Sequence, residues 1–169
     1  VQTLQQIEAG GWDYVLLQEN LMLGVLSEDE YRSSVEQLDA RIRAVDAQSA
    51  LLMLWGSKYD ARVTTEAQAR VNQSIGEEFG LPVVPLGLAW QQARQERPEL
   101  RLYSKESDGA SVAGDYLNAA VVLASLLDED PRESTYMPRD EEGAPLLTAA
   151  DAAFLRAVAW ETVHAHLTP

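Results

Sequence analysis

The 169-residue chain holds 27 acidic against 13 basic residues, for a formal charge of −14. That balance disfavours nucleic acid and anionic membrane surfaces as partners, because both reward basic patches. With no cysteine, disulfides, thiol catalysis and thiolate metal sites are excluded, and no apolar run approaches the roughly 20 residues of a membrane span.

Val1, Leu4 and Ile7 share one face, which predicts the end of an amphipathic helix over 1–9. Gly10-Gly11 stops it. Tyr14–Leu17 is a short unbroken apolar run followed by polar Gln18-Glu19-Asn20, and predicts a parallel strand buried on both faces. Asn20–Leu26 reads as a loop. Ser27 with Glu30 has the spacing of a capping box. The helix beyond it carries a stripe of Tyr31, Val35, Leu38, Ile42 and Val45. Ala50–Trp55 predicts a second buried strand, ended by Gly56-Ser57-Lys58.

Thr65 with Gln68 resembles another capping box, opening a helix whose Ala67, Val71, Ile75 and Phe79 face inward and which Gly80 ends. Leu81–Leu86, with prolines at its margins, predicts a third short strand. A short helix over Leu88–Arg94, a loop over 96–111 and a helix over Gly114–Leu127 follow. A charged loop over 128–145 leads to a last helix, capped by Thr148 with Asp151 at its third position.

Strands alternating with helices predict a single α/β domain, with a short parallel sheet in a flavodoxin-like three-layer α/β/α arrangement. Three strands are few beside the roughly five of a typical sheet. A further strand–helix unit ahead of Val1 is therefore expected.

Open α/β sheets bind ligands beyond the carboxyl ends of their strands. Gln18, Glu19 and Asn20 lie there. The amides of Gln18 and Asn20 suit an oxyanion better than the Glu19 carboxylate, which cannot donate unless protonated. The plain alternative is an ordinary polar strand exit. Ser57 and Lys58 follow the second strand and line the same crevice, yet adjacent residues seldom face one another, so a simple loop is preferred to a Ser–Lys pair. His164 and His166 are the only histidines, and their i, i+2 spacing turns them to different sides of a helix. They read as structural or solvated, and no metal site is expected.

Five segments in order resemble the SGNH (GDSL-like) hydrolases, in a bacterial branch with a WDYVVLQEQS strand and a DGxHPSxxGxYLAA block. Here they read Trp12–Asn20, Leu51–Trp55, Pro85–Trp90, Asp108–Ala120 and Phe154–Val163. The resemblance implies a serine esterase or acetylesterase fold acting on small esters, including acetylated carbohydrate, without a cofactor. It gives Asp108 the role of the aspartate that orients a catalytic histidine. Read from its residues alone, Asp108-Gly109 is a turn rather than a catalytic position. In a family that acts on acetylated sugars, Trp55 and Trp90 near strand ends are candidate substrate platforms, with core packing as the plain alternative.

Two features depart from the family pattern. No Gly-Asp-Ser or Gly-Asn-Ser block is present, and no histidine stands three residues after Asp108, where Ser111 is found. A non-catalytic binding or interaction domain on the same fold is therefore the second expectation. The branch includes exported proteins, and any export signal would lie upstream of Val1.

Overall fold

The computed structural model describes the backbone of residues 2–167 and the side chains of residues 2–165. Val1 and the side chain of His166 lie outside the described residues. The chain divides into two compact units, Val1–Val83 and Val84–Pro169.

In the first unit, helix α1 (Gln2–Glu8) buries Ile7 and ends where Gly10 and Gly11 take φ of 69° and 82°. Strand β1 (Tyr14–Leu17) pairs in parallel with β2 (Gln48–Leu52), Tyr14 opposite Gln48 and Leu17 opposite Leu51. Strand β3 (Val83–Val84) completes a sheet of order β1-β2-β3. The α/β class and the short parallel sheet are as expected, and the arrangement is flavodoxin-like.

Burial corrects one expectation. β1 is covered on one face rather than on both, so Leu17 is buried while Leu16, pointing to the other face, is 39% exposed. The second strand is also shorter than its apolar run. Met53, Leu54 and Trp55 stay buried but leave the ladder, because β1 and β3 offer only four and two residues for pairing. Pro82 and Pro85 confine β3 in turn, since proline gives no N–H to a ladder.

Segment 20–26 is not all loop. It closes into a short helix, α2 (Leu23–Leu26), and Ser27 is at once its C-cap and the N-cap of α3 (Glu28–Arg43). The Ser27 amide donates to Leu23 O at 2.8 Å, and its side chain makes no capping bond. The expected box is absent because that residue's backbone is committed to the preceding turn. On α3 the apolar stripe faces inward, with Tyr31, Val35 and Ile42 buried. Asp39 joins them, accepting from Ser49 Oγ at 2.8 Å and Arg43 Nε at 2.7 Å.

Helix α4 (Thr65–Phe79) is capped by Thr64, one residue earlier than expected; its hydroxyl accepts from Ala67 N–H at 3.1 Å. Thr65 Oγ1 instead accepts from Gly56 N–H at 3.2 Å. Gly80 ends the helix in the left-handed region, as its position implied. Val71 and Ile75 of α4, Val35 and Ile42 of α3, and Leu51 of β2 form one apolar cluster that packs the two crossover helices against the sheet.

In the second unit, α5 (Leu86–Glu96), α6 (Val112–Leu127) and α7 (Ala149–Leu167) pack around Trp90, Leu102, Leu117 and Leu155, all below 2% exposed. Between α5 and α6 the loop folds back on itself through an antiparallel bridge of Tyr103 with Ala110. Ser111 caps α6, its hydroxyl accepting from Gly114 N–H at 3.3 Å. Gly114 is required for close approach: a Cβ there would stand 2.5 Å from Leu102 O and 2.7 Å from Trp90 Cζ2. Thr148 opens α7 as expected, accepting from Asp151 N–H at 3.1 Å and donating to Asp151 Oδ2 at 2.7 Å. Among the described residues no helix is long and apolar enough to cross a membrane.

Candidate functional site

At the carboxyl end of β1, Gln18, Glu19 and Asn20 share the wall of a cavity of about 520 Å³ in the first unit, together with Trp12, Tyr14 and Tyr31. Alternation along the chain sorts the three: Gln18 and Asn20 are exposed, and Glu19 is buried. Asn20 closes a local turn, its Oδ1 accepting from Met22 N–H at 3.1 Å and its carbonyl from Leu23 N–H at 2.8 Å. That bond holds the Asn20 side chain, whose Nδ2 carries a pair of N–H donors.

Glu19 has a different part. One carboxylate oxygen accepts from Gly24 N–H, while Oε1 is buried without a hydrogen-bond partner. Burial pushes its pKa up, against smaller downward pulls from the Gly24 amide and the Gln68 side chain. Gly24 admits this carboxyl, since a Cβ would lie 2.5 Å from Oε1. Gln68 is fully buried, donates Nε2–H to Leu21 O at 2.6 Å, and leaves its own Oε1 without a partner. Beside them Tyr31 donates to Asn72 Oδ1 at 2.9 Å. The Tyr31 hydroxyl is pushed far up, first by burial and then by the charge of Glu19. A buried polar cluster thus stands behind the exposed amides. Sequence reasoning set Glu19 aside for its charge; strand alternation after buried Leu17 was the signal that pointed it inward.

Trp55 is 8% exposed, and Ser57 shapes the turn after it. The Ser57 hydroxyl accepts from the amides of Tyr59 and Asp60, both at 3.0 Å. Arg62 then clamps the Asp60 carboxylate through Nε at 3.0 Å and Nη2 at 2.6 Å, which holds Asp60 down to about 2. Lys58 Nζ stands 5.0 Å from the Tyr59 ring centroid.

In the second unit, Asp108 is half-buried in the loop closed by the Tyr103–Ala110 bridge, where Ser104 N–H donates to Gly109 O at 2.8 Å. Burial pushes the neighbouring Tyr103 hydroxyl up, Arg94 draws it down, and the Asp108 charge adds to the rise. Trp90 is 1% exposed and meets Tyr103 edge to face at 5.0 Å. At the third position after Asp108, Ser111 donates its hydroxyl to Arg101 O at 2.7 Å besides capping α6. His164 lies on α7 with Nδ1 2.9 Å from Trp160 O and its ring 3.7 Å from the Trp160 ring. Among the described residues no group of three or more His, Asp or Glu side chains is placed to hold a metal ion.

No family model matches the sequence, and no curated protein matches it. The fold is similar to that of a solved structure, a DUF4886 family protein from Bacteroides uniformis, with a TM-score of 0.78 over 96% of this chain and 16% sequence identity. This chain spans 66% of that protein's length. The likeness is one of fold: a short parallel α/β sheet flanked by helices.

Proposed function

We propose that this protein is a serine hydrolase of the SGNH type that acts on small esters, with acetylated carbohydrate as the substrate class. The observation that carries the reading is Asn20. Its Oδ1 is tied to Met22 N–H, which holds a side chain that carries two Nδ2 donors, and the residue stands at the carboxyl end of β1, on the wall of the 520 Å³ cavity. Fixed amide donors at such a place suit the negative charge that builds on a carbonyl oxygen during acyl transfer. Gln18, exposed on the same wall, supplies a second amide. The ordered likeness to SGNH sequences supports the same reading and gives Asp108 the histidine-orienting role.

In that chemistry a serine Oγ attacks the ester carbonyl and a histidine takes its proton. The histidine then returns the proton to the leaving alcohol, and water repeats the cycle on the acyl-enzyme. Asn20 and Gln18 stabilise the tetrahedral oxyanion in both halves.

A second reading, a non-catalytic binding domain, is favoured by Ser111. It occupies the position of the family histidine, and its hydroxyl is spent on Arg101 O and Gly114 N–H.

Hydrolysis of p-nitrophenyl acetate by the intact protein, including any residues that precede Val1, separates the two. The hydrolase reading expects turnover that falls by about 10²–10³ in kcat in Asn20→Ala with little change in KM. Absent turnover in a folded sample, with saturable binding of an acetylated sugar that Asn20→Ala weakens, selects the binding domain. Absence of both overturns both.

A further inference from the structure

The second unit carries a groove of about 510 Å³ beside α6, walled by Leu123, Pro131, Tyr136 and Leu146. This volume lies within the roughly 300–1,000 Å³ usual for small-molecule sites. Its walls are mostly apolar, and one cation stands among them: Arg156, from α7. Arg156 Nη1 donates to Tyr116 Oη at 2.8 Å, and Tyr116 in turn donates to Tyr136 O at 2.9 Å. The Tyr116 hydroxyl is thereby used as both acceptor and donor. Arg156 Nε is buried without a partner.

The contrast with the other arginines is informative. In a chain with 27 acidic and 13 basic residues, carboxylates are plentiful, and Arg32, Arg43, Arg97 and Arg132 each hold one. Among the described residues Arg156 forms no ion pair, although Asp115 stands exposed on the same groove. A guanidinium has five N–H donors in a planar fork, and the one bond to Tyr116 leaves the fork short of acceptors. An acceptor entering along the groove completes it.

We propose that this groove binds an amphipathic carboxylate, a single carboxylate on a medium-length hydrocarbon tail. The head group pairs with Arg156, for which a planar carboxylate is the matching fork. A doubly charged phosphate would leave one charge without a counterpart beside a single arginine. The tail lies along Leu123, Pro131 and Leu146. Tyr136 is 67% exposed and stacks on Tyr116 at 6.4 Å, so its ring lies over the head-group end. The site lies wholly within the second unit and does not rest on the hydrolase reading.

Displacement of a fluorescent fatty acid from the intact protein by decanoate, decanol or acetate tests it, with decanoate kept below its micellar range. Saturable displacement by decanoate is expected, at least tenfold weaker displacement by decanol, and none by acetate. Arg156→Gln should weaken decanoate at least tenfold and leave decanol unchanged. Leu146→Trp, at a position 44% exposed and so tolerant of change, should block the groove and weaken both. If Arg156→Gln fails to fold, the decanoate–decanol comparison on the unaltered protein and Leu146→Trp decide. No saturable displacement by decanoate, or equal displacement by decanol, overturns the proposal. So does indifference of decanoate to Leu146→Trp or to a folded Arg156→Gln.

Discussion

The indole N–H of Trp90 donates to Asn118 Oδ1 across 2.8 Å, tying the buried face of α5 to α6 inside the second unit. Trp90 is the largest side chain in that core, at 1% exposure, and Asn118 is its acceptor. Asn118→Ala removes the acceptor of a buried donor. Urea unfolding should show a loss of about 1–3 kcal/mol, and Asn118→Asp, which keeps the oxygen, a smaller one.

Gly114 lets α6 approach the same tryptophan. Adding a Cβ forces it against a backbone carbonyl, Leu102 O, which cannot yield as a side-chain tip could. Gly114→Ala is expected to lower stability by about 1–3 kcal/mol despite alanine's better helix propensity. Gly109→Ala, whose Cβ would meet only Ser107 Oγ at 3.0 Å, should cost less in the same melt.

Glu19 should make the first unit pH-sensitive. Its pKa is raised by burial, so the folded state holds the proton more tightly than the unfolded chain. The stability it contributes is therefore full below the unfolded-state value and is lost as pH rises through the folded-state value. Glu19→Gln removes this loss and brings an amide donor beside Gln68, whose Oε1 has no partner. The variant and the parent should unfold at similar urea concentrations near pH 4. At pH 8 the variant should be the more stable, by about 1–3 kcal/mol.

The two helix caps of the first unit should respond differently to the same change. Thr64→Ala removes a hydroxyl that accepts from Ala67 N–H and should cost about 1 kcal/mol. Ser27→Ala removes a side chain that makes no capping bond and should stay within about 0.5 kcal/mol. Equal losses in the two variants would contradict the assignment of the caps.

Features carried by local periodicity were legible before the structure. The α3 stripe of Tyr31, Val35 and Ile42, the left-handed stop at Gly80 and the Thr148 cap with Asp151 each rest on residues within a turn or two of one another. What a run of apolar residues does not encode is which of its faces are covered. Tyr14–Leu17 reads the same whether one face is covered or both, and only the structure shows Leu16 exposed and Leu17 buried. Caps misread where two elements compete for one residue, as at Ser27, or where two threonines adjoin, as at Thr64 and Thr65. The candidate site was legible in its exposed amides, Gln18 and Asn20. Glu19 was set aside because a carboxylate cannot donate to an oxyanion unless protonated, and its shelter depends on Gly24 and Gln68, residues that no local pattern links to it. Arg156 gave no signal, because an arginine on a helix that also carries Asp151, Glu161 and His164 ordinarily reads as a solvated position.

The most direct test of the hydrolase reading is covalent. The intact protein is treated with a fluorophosphonate, and the adduct is located by peptide mass spectrometry. The account predicts stoichiometric labelling of one serine, greatly slowed in Asp108→Ala and blocked by an acetylated sugar. A folded, intact protein that takes up no label would contradict it, and the binding-domain reading would stand in its place.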